Sequence, residues 1–593
     1  MTASGNQEED LEIDDTLGAL EKIRRYINSD LILHRLYLVR ELSEYAKEVG
    51  YEDTVSQLLP YLKEIQREGK EAALDTVVQA LLPIVAHFTR DVNSQVRLSS
   101  TESVVSIASA LAKPPLGGPQ LLSEHIFPII TTLGKDTTQE EYRVEAAQLV
   151  HHLAPIMGPE LCVEFALPLL LKLSEDTFRV RKAVAGRIGN IAQAVPKEVI
   201  SRELVPLFVK MADDEIWGVR KACAESLVAL SESITAEERA SKLIPIFEKL
   251  VDDTSRWVRS AAFQNLGRFI ATFEGRAVTP ELLQLYNGMV APTAATKYGD
   301  AEIVNYCAFD FPAVIYTIGR DRWGEVKATY EALVKDLQWK VRRPLAHALH
   351  EVAAILGQEL TEKDLCPFFE LFMKDLDEVK VGVVKHISEF LSVLSEASRE
   401  KYLPLVCDIT NETSNWRFRK LMARQLGKLS ALYSAPVVNK HLVPISLQLC
   451  QDAVSGVRKA AYMSVGPLMR RVAEGDQRMR DEYVEQIVAF ASTFPDTSYL
   501  DRQMYVNICG AIVDDVSPEY FVETFLPHLF ALAIDKVPNV RVAVSQGRKD
   551  VGDMLAKLTQ DRDRDVRYYA TSAIHAEQPQ AQKLEEEGAV PQP

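Results

Sequence analysis

Histidine and cysteine are the side chains best suited to hold a metal or attack a substrate, and here their spacing limits both. In "HALHE", His347, His350 and Glu351 share part of a helix face, and His151 stands beside His152. Metal ligation needs further ligands that the sequence does not identify. The seven cysteines (Cys162, Cys223, Cys307, Cys366, Cys407, Cys450, Cys509) stand singly in mostly apolar helical contexts, with no CxxC pair. They read as reduced core residues of a cytosolic or nuclear protein. There is no Gly-rich phosphate loop, HExxH or GxSxG motif, so neither an enzyme nor a metal or other cofactor is expected.

The remaining chemistry is that of recognition. Trp217, Trp257, Trp339 and Trp416 fall in short turns beside basic residues, in "IWGVRK", "SRWVRS", "QWKVRR" and "NWRFRK". Turns lie at the surface, and Trp with Arg is enriched where proteins grip one another. The candidate docking ridge is therefore Trp217, Arg220, Trp257, Arg259, Trp339, Arg342, Trp416, Arg417, Arg419, Arg458 and Lys459. A structural reading competes for the Arg members. Asp214/Arg220, Asp253/Arg259, Asp336/Arg342, Asp452/Arg458 and Asp535/Arg541 keep a constant spacing, which would set each Arg near the Asp of an adjacent turn in a ladder of weak, exposed rungs.

These residues recur because the chain repeats. "ELVPLFVKMADDEIWGVRKA" (Glu203 to Ala222) is nearly restated in "KLIPIFEKLVDDTSRWVRSA" (Lys242 to Ala261). Aligned on Arg97, Arg143, Arg181, Arg220, Arg259, Arg342, Lys380, Arg419, Arg458 and Arg541, the basic position recurs at intervals of 46, 38, 39, 39, 83, 38, 39, 39 and 83 residues. Each 83-residue gap holds two units, one degenerate; the first degenerate unit lies near 279–319, and in the second Arg502 takes about the expected position. Within each unit apolar residues follow helical spacing twice, as in Leu204, Val205, Leu207, Phe208 and Met211, then Val219, Ala222, Cys223, Leu227 and Leu230. A proline in the first helix predicts a bend, and the Asp pair is expected to end that helix and cap the next. This is the HEAT pattern. The expected fold is all-α, a HEAT-repeat α-solenoid of about 13–15 two-helix repeats, with helix layers about 10 Å apart. It would occupy 16–577 between disordered tails at 1–15 and 578–593.

Composition agrees. The chain has 593 residues, too many for one core, and 47% apolar with 25% charged residues is that of a folded protein. A net charge of -17 argues against a nucleic-acid partner. Uninterrupted apolar stretches such as "FALPLLL" (Phe165 to Leu171) reach only seven residues, so no membrane partner is expected.

The wording of the repeats also resembles a known family. "DDEIWGVRKACAE" (Asp213 to Glu225), "DDTSRWVRSAAFQNLGRFIATF" (Asp252 to Phe273), "DLQWKVRRPLAHALHEVAAILG" (Asp336 to Gly357), "KDLDEVKVGVVKHISEFL" (Lys374 to Leu391), "NWRFRKLMARQL" (Asn415 to Leu426) and "DKVPNVRVAV" (Asp535 to Val544) look like the serine/threonine protein phosphatase 4 regulatory subunit 1 family. More distantly they are similar to the HEAT-repeat scaffold subunit of protein phosphatase 2A. The likeness runs from about residue 15 to about residue 575. It implies a non-catalytic scaffold that binds the catalytic subunit of protein phosphatase 4 and directs it to phosphoprotein substrates. In the related scaffold an NWRxR turn helps hold the catalytic subunit, and Trp416, Arg417 and Arg419 match it, with Arg458 and Lys459 in the next turn. Animal members carry a long acidic insertion; here the region from Gly275 to Asp300 is short. The alternatives are a karyopherin-like transport receptor, which is also an acidic helical solenoid, and a general HEAT-repeat assembly scaffold.

Overall fold

The computed structural model describes residues 85–112, 118–292, 302–412, 415–492, 498–546 and 552–575, with isolated positions between 13 and 37 and at 82 and 294. The two expected tails, the weak repeats around Arg35 and Pro60, and Pro83 lie outside the described residues, apart from those isolated positions. Every regular element among the described residues is helical, and the fold is the expected all-α HEAT-repeat solenoid. Its helices form two units, Met1–Ile318 and Gly319–Pro593.

In the first unit the site is borne by α1 (Glu140–Leu161), α2 (Phe178–Ala185), α3 (Ile188–Ala192), α4 (Val205–Ala212), α5 (Trp217–Ser233), α6 (Ile244–Val251) and α7 (Arg256–Ala271). Each layer pairs a helix carrying the proline with the helix opened by Val-Arg. The apolar stripes read from the sequence are buried in full in the layer of α4 and α5: Leu204, Val205, Leu207, Phe208 and Met211 face Val219, Ala222, Cys223, Leu227 and Leu230. In the next layer Phe247 stacks on Phe269 at 4.9 Å.

The proline does something more specific than bend a helix. Ahead of Pro128, Pro168, Pro206, Pro245, Pro367 and Pro444, five residues form a single wide turn, such as Ile200–Leu204 and Arg239–Leu243. The residue before the proline donates its N–H five residues back, as Val205 does to Ile200 and Ile244 to Arg239. Proline has no N–H to donate and its ring crowds the carbonyl four residues back. Widening the helix to π geometry accommodates both defects without breaking it.

Residues 140–173 are the one run among those described that is long and apolar enough to cross a membrane by length and composition. Local geometry divides it. Gly158 takes φ 76°, a conformation in which L side chains are strained, and the wide turn Cys162–Ala166 begins four residues later. Leu149, Val150 and Leu153 of α1 are buried in the layer.

One glycine sets how closely successive layers meet. A Cβ on Gly189 of α3 would lie 2.5 Å from the Ser226 carbonyl oxygen and 2.7 Å from the Ala229 Cβ of α5. Both obstacles belong to helix backbone or the first side-chain atom, so neither can rotate away. Gly189→Ala is expected to lower stability by about 1–3 kcal/mol in urea denaturation. Gly218→Ala, where the nearest atom is the flexible Lys182 Cδ at 3.9 Å, should stay within about 0.5 kcal/mol.

The second unit repeats the plan in α8 (Trp339–Leu360), α9 (Asp377–Lys385), α10 (Trp416–Ser430) and α11 (Ser455–Ala473). Phe369 stacks on Phe390 at 4.7 Å. Trp323, the fifth tryptophan, is buried and its Nε1 donates to Asp364 at 2.9 Å.

Candidate protein-docking ridge

The turn between paired helices is built around the Asp and Arg of the repeat. The Asp does not cap the helix as expected: Asp214 Oδ1 accepts from the Ile216 N–H at 2.9 Å, and Ile216 itself, with no side-chain bond, is the residue before α5. Asp253, Asp452 and Asp535 likewise accept from Ser255, Val454 and Val537, and Asp336 from Gln338. The carboxylate therefore folds the turn. Its own carbonyl then accepts from the Arg six residues on, as Asp214 does from Arg220 Nη1 at 2.7 Å.

The remaining guanidinium N–H groups reach the next layer. In the first unit Arg143, Arg181 and Arg220 donate in bidentate fashion to Asp176, Asp214 and Asp253, always 33 residues on, with shortest contacts of 2.7, 2.7 and 2.6 Å. The second unit repeats this in Arg342 to Asp375, Arg419 to Asp452 and Arg502 to Asp535. Arg541 reaches Asp561 only 20 residues on. The expected ladder exists except at Asp336, thirty-three residues before which the sequence has Ile303 instead of Arg, and its rungs are not exposed. Arg220 and Asp253 side chains are 16% and 8% accessible, and those of Arg502 and Asp535 5% and 6%. Burial, the strongest influence on Asp253, pushes its carboxyl up. The bonds from Arg220 and the Ser255 N–H outweigh that and hold it below the usual carboxylate value. Asp136, held mainly by the Thr138 hydroxyl and the Gln139 and Thr138 N–H groups, falls to about 2.

Arg220, Arg342 and Arg419 thus commit their donors to the ladder. Arg259 and Arg458 donate to the carbonyls of Asp253 with Thr254 and of Asp452 with Ala453. Thirty-three residues beyond Arg458 the sequence has Ala491 instead of Asp.

The tryptophans open helices instead of lying in the turns: Trp217, Trp339 and Trp416 are first residues of α5, α8 and α10, and Trp257 is second in α7. They divide by exposure. Trp217 and Trp257 are 47% and 50% accessible, and the Arg256 guanidinium lies 4.4 Å from the Trp257 ring. Trp339 and Trp416 are half-buried. Trp416 lies between Arg417 and Lys420, at 5.3 and 5.7 Å, and its edge faces Gly456 of the following layer. Arg417 and Lys459 are exposed.

Other large apolar side chains share these turns and were not singled out from the sequence. Val92 and Phe178 are exposed in the first unit, and Leu337, Leu376 and Ile534 in the second. Their signal was present, since each lies within three residues of a repeat Asp, but single aliphatic residues do not announce exposure.

The histidine motif gathers differently than expected. His350 of α8 stacks on His386 of the next layer, ring centroids 4.0 Å apart, while Glu351 is exposed. No group of three potential ligands among the described residues could hold a metal. Burial first, then Arg343 and Lys385, pushes His347 below its ordinary value; burial, then His350, does the same to His386. His151, pushed down by burial with Arg187 and His152 adding, falls to about 4. These rings are neutral when folded and bind protons more readily unfolded. Their contribution is present above the unfolded value near 6.5 and is lost as pH falls toward 4. The ladder carboxylates add a second loss below about 3.8. Urea midpoints are expected to hold near pH 7–8 and to decline once pH passes below about 6.5.

Residues 307–409 match the family described as protein phosphatase 4 regulatory subunit 1 middle domain, and 163–267 match HEAT repeats. The serine/threonine-protein phosphatase 4 regulatory subunit 1 of Rattus norvegicus and that of Homo sapiens are 37% and 38% identical over 334 residues, 52% of this chain and 34% of each relative. Regulatory subunit 4 of Mus musculus is 22% identical over 254 residues, 40% of this chain and 28% of that relative. The expected resemblance is present, over a shorter stretch than expected. The chain spans about a third of the length of the curated relatives it matches. Among solved structures, importin beta in a polyethylene glycol condition has a TM-score of 0.57 at 13% identity, covering 94% of this chain and 82% of that one. The Kap95:Nup1 complex has 0.53 at 12%, covering 93% and 78%. At such identity the likeness is one of fold.

Proposed function

We propose, from the match of residues 307–409 to the protein phosphatase 4 regulatory subunit 1 middle domain, that the chain is a non-catalytic regulatory scaffold. It binds the catalytic subunit of protein phosphatase 4 and directs it to phosphoprotein substrates. That match carries the reading. The turns support it physically: rigid repeats present exposed Trp217, Trp257, Arg417 and Lys459 at helix starts; Trp loses little entropy when a partner covers it, and Arg offers charge-assisted hydrogen bonds.

Purification of the tagged full-length chain from its native cells should recover a protein phosphatase 4 catalytic subunit, and the isolated chain should show no phosphatase turnover. Recovery of no phosphatase catalytic subunit would sink the proposal. A karyopherin-like receptor would instead bind Ran in its GTP state. The importin fold likeness does not favour that reading, because a helical solenoid serves many functions.

A further inference from the structure

Helices α10 and α11 pack side by side in the second unit and leave a groove of about 750 Å³ open to solvent. Five cationic side chains line it, Lys420, Arg424, Lys428, Lys459 and Arg470, and no carboxylate does. In a chain of net charge -17, that is a local reversal of sign. Two of the five are neutralised from outside the groove: Lys428 by Glu389 at 2.7 Å, and Arg470 by Asp515. Lys420 leans over Trp416, while Arg424 and Lys459 are exposed.

A second groove, of about 800 Å³, runs along α1, α2 and α5 in the first unit and offers a comparison. There Glu140, Glu141, Glu145 and Glu225 interleave with the cations. Simple packing of HEAT helices therefore does not generate a purely basic lining. The glycines of the lining serve helix packing: Pro467 lies against Gly427, and Trp416 and Lys420 lie against Gly456. Beside the cations Met463 stands 61% exposed, a flexible apolar side chain in an otherwise charged wall.

We propose that this groove docks an acidic peptide segment of a partner protein, a carboxylate-rich stretch carrying one apolar residue. The carboxylates pair with Arg424 and Lys459, and the apolar residue covers Met463. The inference shares Lys459 with the docking ridge but does not rest on the phosphatase proposal. Arg424 and Met463 lie outside the docking ridge, and its test uses no phosphatase.

The test is fluorescence anisotropy of the full chain with a fluorescein-labelled peptide of Asp and Glu residues around a single Leu. Saturable binding is expected. It should weaken about tenfold or more in Arg424→Glu with Met463→Glu, both exposed sites whose replacement leaves the fold intact, and weaken again as salt is raised. Arg179→Glu with Lys182→Glu, in the mixed groove, should leave it unchanged. The proposal is overturned by absence of binding or by equal loss in both variant pairs. It is also overturned if only a phosphoserine version of the peptide, or only a single-stranded oligonucleotide, binds. Tighter binding by about tenfold after removal of 578–593 would show that the groove belongs to the chain's own tail and would equally overturn it.

Discussion

Asp253→Ala is expected to destabilise the chain by about 3 kcal/mol or more, whereas Asp213→Ala, at a neighbouring acidic residue one layer earlier, should change stability by less than about 0.5 kcal/mol. Both residues accept from a cation of another layer. Asp213 meets Lys249 at 3.5 Å with both side chains about 70% accessible, so water takes over when the contact goes. Asp253 meets Arg220 at 2.6 and 2.8 Å with both side chains largely buried. Its loss leaves a guanidinium charge without a counter-ion in a place water reaches poorly. It also removes the acceptor that folds the turn before α7.

The double variant Arg220→Met with Asp253→Leu should recover part of the loss. A buried pair costs desolvation on both sides, and apolar residues of similar volume avoid it. Because repeats unfold in part, urea curves should be read beside hydrogen exchange of α5 and α7. Equal effects at Asp213 and Asp253 would show that the rung is as weak as an exposed pair.

Arg417→Ala is expected to weaken capture of purified protein phosphatase 4 catalytic subunit by about 2 kcal/mol, about thirtyfold, with an unchanged unfolding curve. Arg417 is the exposed member of "NWRFR", and its neighbours are occupied: Arg419 holds Asp452, and Trp416 packs against the next layer. Replacing either of those would mix lost binding with lost stability. The same reasoning pairs Trp217 with Trp257 and not with Arg220, since Arg220 is a rung and both tryptophans are about half exposed. Trp217→Ala with Trp257→Ala then tests the first unit separately. If capture is undiminished in both variants, the ridge does not hold the catalytic subunit.

The period, the two apolar stripes and the pairing of Arg220 and several of its counterparts with an Asp of the next layer were legible because they arise from spacing alone. The stripes of Glu203 to Ala222 are buried residue for residue. Other features depend on properties that spacing does not encode. A wide turn before proline differs from an α-turn by one residue in a single loop of backbone, and over so short a stretch the apolar pattern looks the same. The burial of the rungs depends on how closely layers approach, which Gly189 and its contacts with α5 help to set. Arg541 finds Asp561 after 20 residues instead of 33, an interval that the period of the earlier repeats does not announce. The ridge was half legible: Trp217 and Trp257 are exposed as turn chemistry suggested, but Trp416 faces glycine in a layer that only the folded chain brings near.

The wide turns also bear on which insertions and deletions the chain can absorb. A π-turn holds one residue more than the α-turn it replaces. Losing a residue within Ile200–Leu204 could be met by closing that turn, leaving Pro206 and everything after it in register. Between Pro206 and Asp214 there is no such slack. A deletion there rotates the downstream turn by about 100° and swings Asp214 away from Arg181. Length variation in each repeat should therefore collect before the proline, while the count from proline to aspartate stays fixed.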